Sequence, residues 1–289
     1  MVSLDEQKSF ELGELFRELR IARGLKLKDV ASDTLSISQL SKFENGQTML
    51  SADKLLVAIA GIHMSFSEFG YALNNYQEPF FFKIGKSVAK LHAKHDVEGL
   101  KELLDSVKEY EKFDVYNRLN SLVVKVALCS LDGNYEILAK EKEFLTNYLY
   151  GIEEWTEYEL YLFGNTMTIL SDDDLIFLGK AFIDRDKLYL SLTSHHKNAE
   201  LTCLNLILSL LERRKMYYVK YFMDKLEKML TYQDMFATTC LHFLKKVVAY
   251  LVDQNIELAE LEHDIEMIAA LGNPTIADFL SLNLNRLLQ

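Results

Sequence analysis

The sequence predicts an all-α protein made of two helical parts. Only two prolines, Pro79 and Pro274, occur in 289 residues, and the closely spaced turn signals that all-β chains need are almost absent. Apolar residues recur instead at the spacing of amphipathic helices along nearly the whole chain. Because Pro79 biases the preceding residue away from helix, we expect a first domain in residues 1–73, a linker in residues 74–79 and a second domain in residues 80–289.

Five short helices are predicted in the first domain, each bounded by a residue type that commonly begins or ends a helix. Gly24 ends the first helix, whose apolar face begins at Leu12. Val30 and Ala31 point inward from a short second helix. The other boundaries are Ser36 or Ser38 and Asn45-Gly46 for the third helix, Ser51 for the fourth and Ser65 for the fifth.

From residue 80 onward the pattern predicts repeated helical hairpins. Apolar-periodic segments begin near Phe80, Asp114, Thr156, Asn198, Asp234 and Thr275. These starts lie roughly 34 to 42 residues apart, the period of tetratricopeptide-like (TPR-like) α-solenoids. The first helices of such hairpins line a concave groove that suits an extended peptide. The apolar residues between Ile276 and Leu288 either contact a second copy of the chain or close the last repeat.

The distribution of charge matters more than its total. A net charge of −11 argues against a nucleic-acid ligand, since phosphate binding normally requires an excess of Lys and Arg. Residues 1–76, however, hold eight Lys and Arg against ten Asp and Glu, so most of the acid lies in the second domain. The five basic residues between Arg17 and Lys28 have one acid among them, Glu18. This local excess of positive charge is a small basic patch that could contact DNA.

The segment SISQLSKFENG, residues 36–46, has the pattern of a helix that reads DNA. Leu40 and Phe43 face the core, which leaves short polar side chains and Lys42 near the start of the helix for base edges and phosphates. We expect Gln39 to pair with adenine through one donor and one acceptor. The candidate DNA contacts are Arg17, Arg20, Lys28, Ser38, Gln39, Ser41 and Lys42.

Residues 15–69 resemble a λ-repressor-type helix-turn-helix domain of the XRE class. The resemblance rests on KDVA at residues 28–31 and on the pattern Ser38-x-x-Ser41-x-x-Glu44-x-Gly46. It implies five helices and sequence-specific binding of double-stranded DNA, at an operator expected to be pseudo-palindromic. We interpret Glu44 as structural, bracing the motif through Arg17 or Arg20.

Two stretches of the second domain resemble the Rgg/MutR/GadR regulators of Gram-positive bacteria. They are WTEYELYLFGN, residues 155–165, and more loosely CLNLILSL, residues 203–210. The resemblance runs from about residue 13 to the C-terminus. It implies a cytoplasmic homodimer that regulates transcription and, in many members, responds to an imported short hydrophobic peptide of the quorum-sensing type.

Asparagine side chains, which can hydrogen-bond to a peptide backbone, recur at intervals of about one repeat. An Asn amide donates and accepts at once, and Asn120, Asn165 and Asn205 fall on the first helices of successive hairpins. A basic side chain would bind a peptide carboxylate, and an aromatic ring would line an apolar pocket. The candidate peptide contacts are therefore Arg118, Asn120, Tyr161, Asn165, Asn205, Arg213 and Lys245.

No motif predicts an enzyme, a cofactor or a metal site. P-loop, GxSxG and HExxH patterns are absent, and the pair His195-His196 has no evident carboxylate or cysteine partner. The three widely spaced cysteines, in apolar stretches, are interpreted as reduced core residues. No uninterrupted apolar run reaches about 20 residues and the acidic N-terminus is unlike a signal peptide, which favours the cytoplasm and no membrane contact.

Two alternatives to peptide sensing remain open from the sequence. One is a DNA-binding regulator controlled by a metabolite, a protein partner or the redox state. Some relatives link two DNA-binding domains through a cysteine after the recognition helix, but none lies between Gly46 and Gly70, which disfavours that redox route. The other is a helical-repeat scaffold whose N-terminal module binds protein.

Overall fold

The computed structural model describes residues 4–107, 114–184, 193–253 and 255–288. Sixteen α-helices account for most of these described residues, and an isolated β-bridge joins Ser32 to Leu35. The chain divides into two compact units, Met1–Phe80 and Phe81–Gln289. The prediction of an all-α fold is confirmed.

The first unit contains five helices whose ends follow the predicted boundary residues. They are α1 (Leu4–Ala22), α2 (Leu27–Val30), α3 (Ile37–Glu44), α4 (Ala52–Gly61) and α5 (Phe66–Leu73). Gly24 and Gly46 follow α1 and α3 with φ of +69° each, a left-handed conformation that glycine adopts without a steric penalty. Ser36, rather than Ser38, caps α3, because its Oγ accepts a hydrogen bond from the Gln39 N–H.

The core of the first unit forms where α1 crosses α3. The Phe16 and Phe43 rings lie 5.8 Å apart there, and both side chains are buried. Gly13 permits this crossing, because a Cβ atom at residue 13 would lie 1.9 Å from the Phe43 carbonyl oxygen. The buried residues of this core are Phe16, Val30, Leu35, Leu40, Phe43, Ala58, Ile59, Ile62 and Phe69.

The second unit is a series of helical hairpins. Its helices are α6 (Phe80–Ala93), α7 (Val97–Val107), α8 (Asp114–Leu131), α9 (Ala139–Gly151), α10 (Glu157–Thr166), α11 (Asp172–Asp184), α12 (Thr193–Glu212), α13 (Met216–Met229), α14 (Met235–Val248), α15 (Leu258–Ala270) and α16 (Pro274–Leu288). A 3-10 turn, Met167–Ile169, follows α10, and a π-helical turn, Ala249–Asp253, extends α14.

The first helices of successive hairpins pack side by side. Helix α10 contacts α8 and α12, and α14 contacts α12 and α16. We call α8, α10, α12, α14 and α16 the first-helix row. Helices α8, α12, α14 and α16 also contact second helices of hairpins, as α8 contacts α7 and α12 contacts α13. The predicted helical-repeat architecture is confirmed.

Helix α16 closes the last hairpin. Leu280, Leu284 and Leu287 are buried, and α16 contacts α12, α14 and α15. The Arg214 guanidinium donates a hydrogen bond to the Leu287 carbonyl at 2.9 Å, and Arg286 pairs with Glu212 at 3.0 Å. Of the two predicted roles for this segment, the structure favours the cap, because most of the apolar stripe packs within the chain.

Two further predictions concern membranes and thiols. Among the described residues, Met235–Val252 is long and apolar enough to cross a membrane by length and composition alone, but α14 contacts four helices of its own unit and is a core helix.

Cys203 and Cys240 are buried and free, and Cys129 is half-buried and free. Burial raises the pKa of both buried thiols, that of Cys240 to about 12, and the predicted core positions of these two residues are confirmed.

Candidate functional site

The first candidate site is the exposed side of α2 and α3. A reciprocal pair of backbone hydrogen bonds between Ser32 and Leu35 closes the turn that connects the two helices. Leu40 and Phe43 anchor α3 in the core, so its opposite side is presented to solvent. We call the following set the DNA face: Arg17, Lys28, Ser38 and Lys42, which are exposed, and Gln39 and Ser41, which are half-buried.

Gln39 has a structural role besides the predicted contact with a base. Its Oε1 atom accepts a hydrogen bond from the Ser36 N–H at 3.1 Å, while its own N–H donates to Ser36 Oγ at 3.2 Å. This capping box occupies the acceptor that a bidentate contact with adenine requires. In this conformation Gln39 offers a base only the donor group of its amide, and bidentate pairing requires release of the cap.

Arg20 belongs to the core and not to the DNA face, which corrects its assignment. Its Nε and Nη2 atoms donate to the two carboxylate oxygens of Glu44 at 2.6 and 2.7 Å, and its Nη1 atom donates to the Leu25 carbonyl at 2.6 Å. Arg20 is 8% exposed and Glu44 5%. The predicted brace between Glu44 and an arginine is confirmed, and Arg20, not Arg17, supplies it.

The second candidate site lies on the first-helix row, where the three predicted asparagines differ in exposure. Asn165 on α10 and Asn205 on α12 are exposed. The two helices approach closely beside them, since a Cβ atom at Gly164 would lie 3.5 Å from Thr202 Oγ1. Leu201, one turn before Asn205, is 46% exposed on a helix whose other faces are mostly buried. We call Asn165, Leu201 and Asn205 the α10–α12 face.

Asn120 is buried and does not line an open groove, which corrects the expectation of equal depth. It is 0% exposed, and its Oδ1 atom accepts a hydrogen bond from the Tyr158 hydroxyl at 3.2 Å. Tyr161 packs nearby, with the rings of Tyr158 and Phe81 at 6.1 and 5.3 Å. Among the described residues, neither Asn120 Nδ2 nor the Tyr161 hydroxyl has a hydrogen-bond partner, an uncommon situation for buried polar atoms. Burial raises the pKa of Tyr161.

Two of the predicted carboxylate-binding cations have partners within the protein. Arg213 donates to the carbonyl oxygens of Met167 and Leu170 at 2.8 and 2.9 Å and pairs with Asp172 at 3.0 Å. It therefore fastens the end of α10 to the start of α11. Lys245 pairs with Glu227 of α13 at 2.7 Å. The contacts of Arg213 correct its assignment to a peptide site, whereas the Lys245–Glu227 pair is partly exposed and the assignment of Lys245 stays a prediction.

Arg118 lines a polar cavity between α8 and α9. Its guanidinium carbon lies 3.7 Å from the centre of the Phe144 ring, a cation–π contact. The cavity has a volume of about 270 Å³ and is lined by Asp114, Asn117, Arg118, Ser121, Leu122, Lys125, Glu141 and Phe144. Lys125 and Glu141 form an ion pair at its wall. The cavity offers charges of both signs to a small ligand.

His196 lies among carboxylates, contrary to the prediction that the pair His195-His196 has none nearby. Its Nε2 atom lies 2.8 Å from Glu200 Oε1 and 3.6 Å from Asp234 Oδ2. Burial and the Asp234 carboxylate raise the pKa of Glu200 to about 7. His196 and Glu200 are four residues apart on one helical face, a signal that the sequence contained. Asp234 is brought in by the packing of consecutive hairpins.

Comparison with known proteins gives the same two-part organisation. Residues 100–281 match the sequence profile described as "HTH-type transcriptional regulator Rgg, C-terminal domain", and residues 13–64 match a helix-turn-helix domain. Twenty-eight chains of solved structures are similar to this chain.

Three solved structures illustrate the structural likeness. The pheromone receptor Rgg2 of Streptococcus dysgalactiae has 20% identity and a TM-score of 0.78 over 95% of this chain and 99% of its own. A protein from Listeria monocytogenes EGD-e has 19% identity and a TM-score of 0.79, covering 97% and 98% of the two chains. PrgX in complex with cCF10 has 14% identity and a TM-score of 0.70, covering 96% and 92%.

Proposed function

Because the chain belongs to the Rgg family of helix-turn-helix transcriptional regulators, we propose that it is a cytoplasmic homodimer whose operator binding is controlled by a short hydrophobic peptide. The first unit supplies the DNA face and the second unit the peptide site. Rgg2 is described as a receptor for the SHP pheromone, and PrgX forms a complex with cCF10. These relatives support a peptide ligand over the other candidate effectors.

The DNA face acts through α3. Its exposed start would enter the major groove, where Ser38 and the donor group of Gln39 reach base edges. Lys28, Lys42 and Arg17 would contact phosphates, which fix position and orientation without reading sequence. A pseudo-palindromic operator follows from the proposed dimer, since each copy reads one half-site.

The observation that carries the peptide proposal is the exposure of Asn165 and Asn205 on neighbouring helices. A bound peptide leaves backbone N–H and C=O groups that need partners, and an exposed Asn amide satisfies one of each. Asn165 Nδ2 already donates to the Tyr161 carbonyl of its own helix at 2.7 Å, which fixes its orientation and leaves Oδ1 as an acceptor. Leu201 supplies apolar surface on the same stripe as Asn205.

The test is isothermal titration of the full-length protein with hydrophobic peptides encoded near its gene. Asn205→Ala should weaken the binding of a cognate peptide by about 1–3 kcal/mol, roughly 5- to 150-fold in Kd. Asn147→Ala, an exposed asparagine on α9, is the matched control and should bind normally. Equal affinity in Asn205→Ala and the wild type would remove the α10–α12 face from the proposal.

A small charged metabolite is the second candidate effector, favoured by the polar cavity around Arg118. Such a ligand would pair its anionic group with Arg118 or Lys125. If so, Arg118→Gln should abolish the regulatory response to that metabolite. Titrations with peptide should show no binding in the wild type or in any variant. Regulation that persists without peptide and is lost in Arg118→Gln would favour this function over peptide sensing.

A further inference from the structure

The side chains of His196, Glu200 and Asp234 converge in the second unit. His196 and Glu200 lie four residues apart on α12, and Asp234 precedes α14 as its N-cap residue. One ligand atom from each of the three lies within 4.8 Å of the others. The cluster therefore combines one imidazole nitrogen with two carboxylates from consecutive hairpins.

The two closest atoms face each other without forming a hydrogen bond. His196 Nε2 and Glu200 Oε1 lie 2.8 Å apart, yet in the part of the chain that the structure describes neither atom has a hydrogen-bond partner. Glu200 is 5% exposed, so water does not readily satisfy its carboxylate. Two buried acceptor atoms this close need either a proton or a metal ion between them.

The spacing fits ligands of one small cation. Bonds of about 2.0–2.2 Å to nitrogen and oxygen place two tetrahedral ligands roughly 3–3.5 Å apart. The distances from His196 Nε2 to Glu200 Oε1 and to Asp234 Oδ2, 2.8 and 3.6 Å, bracket that range. Small rotations of the side chains would bring the three atoms to bonding distance.

Asp234 is held in place for such a role. Its Oδ2 atom accepts hydrogen bonds from the Thr231 N–H at 2.7 Å and from the Thr231 hydroxyl at 2.6 Å. These two hydrogen bonds fix the orientation of the Asp234 carboxylate. Supporting partners that orient a ligand carboxylate are a regular feature of metal sites.

We propose that His196, Glu200 and Asp234 bind one divalent transition-metal ion of the Zn²⁺ or Mn²⁺ class. An imidazole with two carboxylates selects these ions over Mg²⁺ and Ca²⁺, which prefer oxygen ligands alone. Three protein ligands leave at least one coordination position for water or another small ligand. The ion joins α12 to the start of α14, so bound metal stabilises two consecutive hairpins against unfolding.

The experiment uses the full-length, tag-free protein, stripped with a chelator and kept reduced. Titration with ZnCl₂ and with MnCl₂ by calorimetry should give one bound ion per chain for at least one metal. A hundredfold excess of free metal over its Kd should raise Tm by about 5–10 °C. Metal analysis of the dialysed protein provides the stoichiometry independently.

Three variants separate this site from binding elsewhere. Glu200→Gln and His196→Ala should each lower the affinity for the metal by more than roughly 100-fold. That figure is the upper end of the loss caused by removing an outer-shell partner. His263→Ala, an exposed histidine on α15, should behave as the wild type. Circular dichroism of Glu200→Gln, which preserves side-chain volume, confirms that the loss is not unfolding. No bound metal, or undiminished binding in Glu200→Gln and His196→Ala, would overturn the proposal.

Discussion

At the scale of single residues, the pair of Arg20 and Glu44 shows how a charged residue near a DNA-reading helix serves the fold. The guanidinium meets both carboxylate oxygens of Glu44 and the Leu25 carbonyl, so three of its donors are satisfied inside the protein. Glu44 is the last residue of α3, and Arg20 lies near the end of α1. The pair therefore fixes the orientation of the recognition helix relative to α1.

Glu44→Gln should destabilise the first unit by about 3–5 kcal/mol, because it leaves the buried Arg20 cation without its counter-charge. Hydrogen exchange of the full-length protein, read in α1 and α3, measures this loss locally. Glu14→Gln replaces an exposed glutamate on α1 and should change stability by less than about 0.5 kcal/mol. Equal protection of α3 in both variants would mean that the pair does not hold the helix.

The three asparagines on the first helices of successive hairpins differ in their surroundings. Asn165 and Asn205 are exposed, whereas Asn120 is buried with its Oδ1 atom bonded to Tyr158. A spacing of about one repeat puts residues at equivalent positions of successive hairpins. Whether such a residue is exposed depends on the side chains that pack over it. Phe81 on α6 packs over this region, in ring contact with Tyr158, and helps to enclose it.

At the scale of helices, the crossing of α1 and α3 depends on the absence of a side chain. The backbone of α1 at Gly13 approaches the Phe43 carbonyl so closely that no Cβ atom fits. The contact brings the Phe16 and Phe43 rings together in the core. A close backbone approach cannot be deduced from an apolar period, because glycine contributes nothing to that period.

Gly13→Ala should destabilise the first unit by about 1–3 kcal/mol or more, since the two helices must separate to admit the methyl group. Gly70→Ala is the matched control, because a Cβ atom at Gly70 meets nothing within 4 Å and alanine favours helix by about 1 kcal/mol. Urea unfolding monitored by circular dichroism compares the two variants. If Gly13→Ala proved as stable as Gly70→Ala, α1 and α3 would not cross at this glycine.

Helix boundaries were largely predictable, whereas contacts between helices were not. Gly24, Ser36 and Ser65 mark helix ends through hydrogen bonds and dihedral angles that depend on neighbouring residues alone. By contrast, the contact between Glu44 and Arg20 spans 24 residues, and the sequence narrowed the partner of Glu44 only to Arg17 or Arg20. Asp234 reaches His196 only because α14 packs on α12. Arg213 was likewise misassigned, because its partners precede it by 41 to 46 residues.

At the scale of the whole molecule, the charge distribution separates the two activities. Most of the net charge of −11 falls beyond residue 76, so phosphate contacts are confined to the first unit. Under the proposed function, a peptide bound to the second unit would control DNA binding through a change in the population of protein conformations. It must bind one conformation more tightly, since equal affinity for both shifts nothing.

This coupling has to be reciprocal. If the peptide changes operator affinity by a given factor, the operator must change peptide affinity by the same factor, and couplings of about 1–3 kcal/mol correspond to 5- to 150-fold. Fluorescence anisotropy with labelled operator and, separately, labelled peptide gives both factors at one salt concentration. Asn205→Ala should retain the operator affinity of the peptide-free protein and lose the response to peptide. A peptide Kd that operator DNA leaves unchanged would show that peptide and DNA bind independently, and the proposed control of transcription would then need another effector.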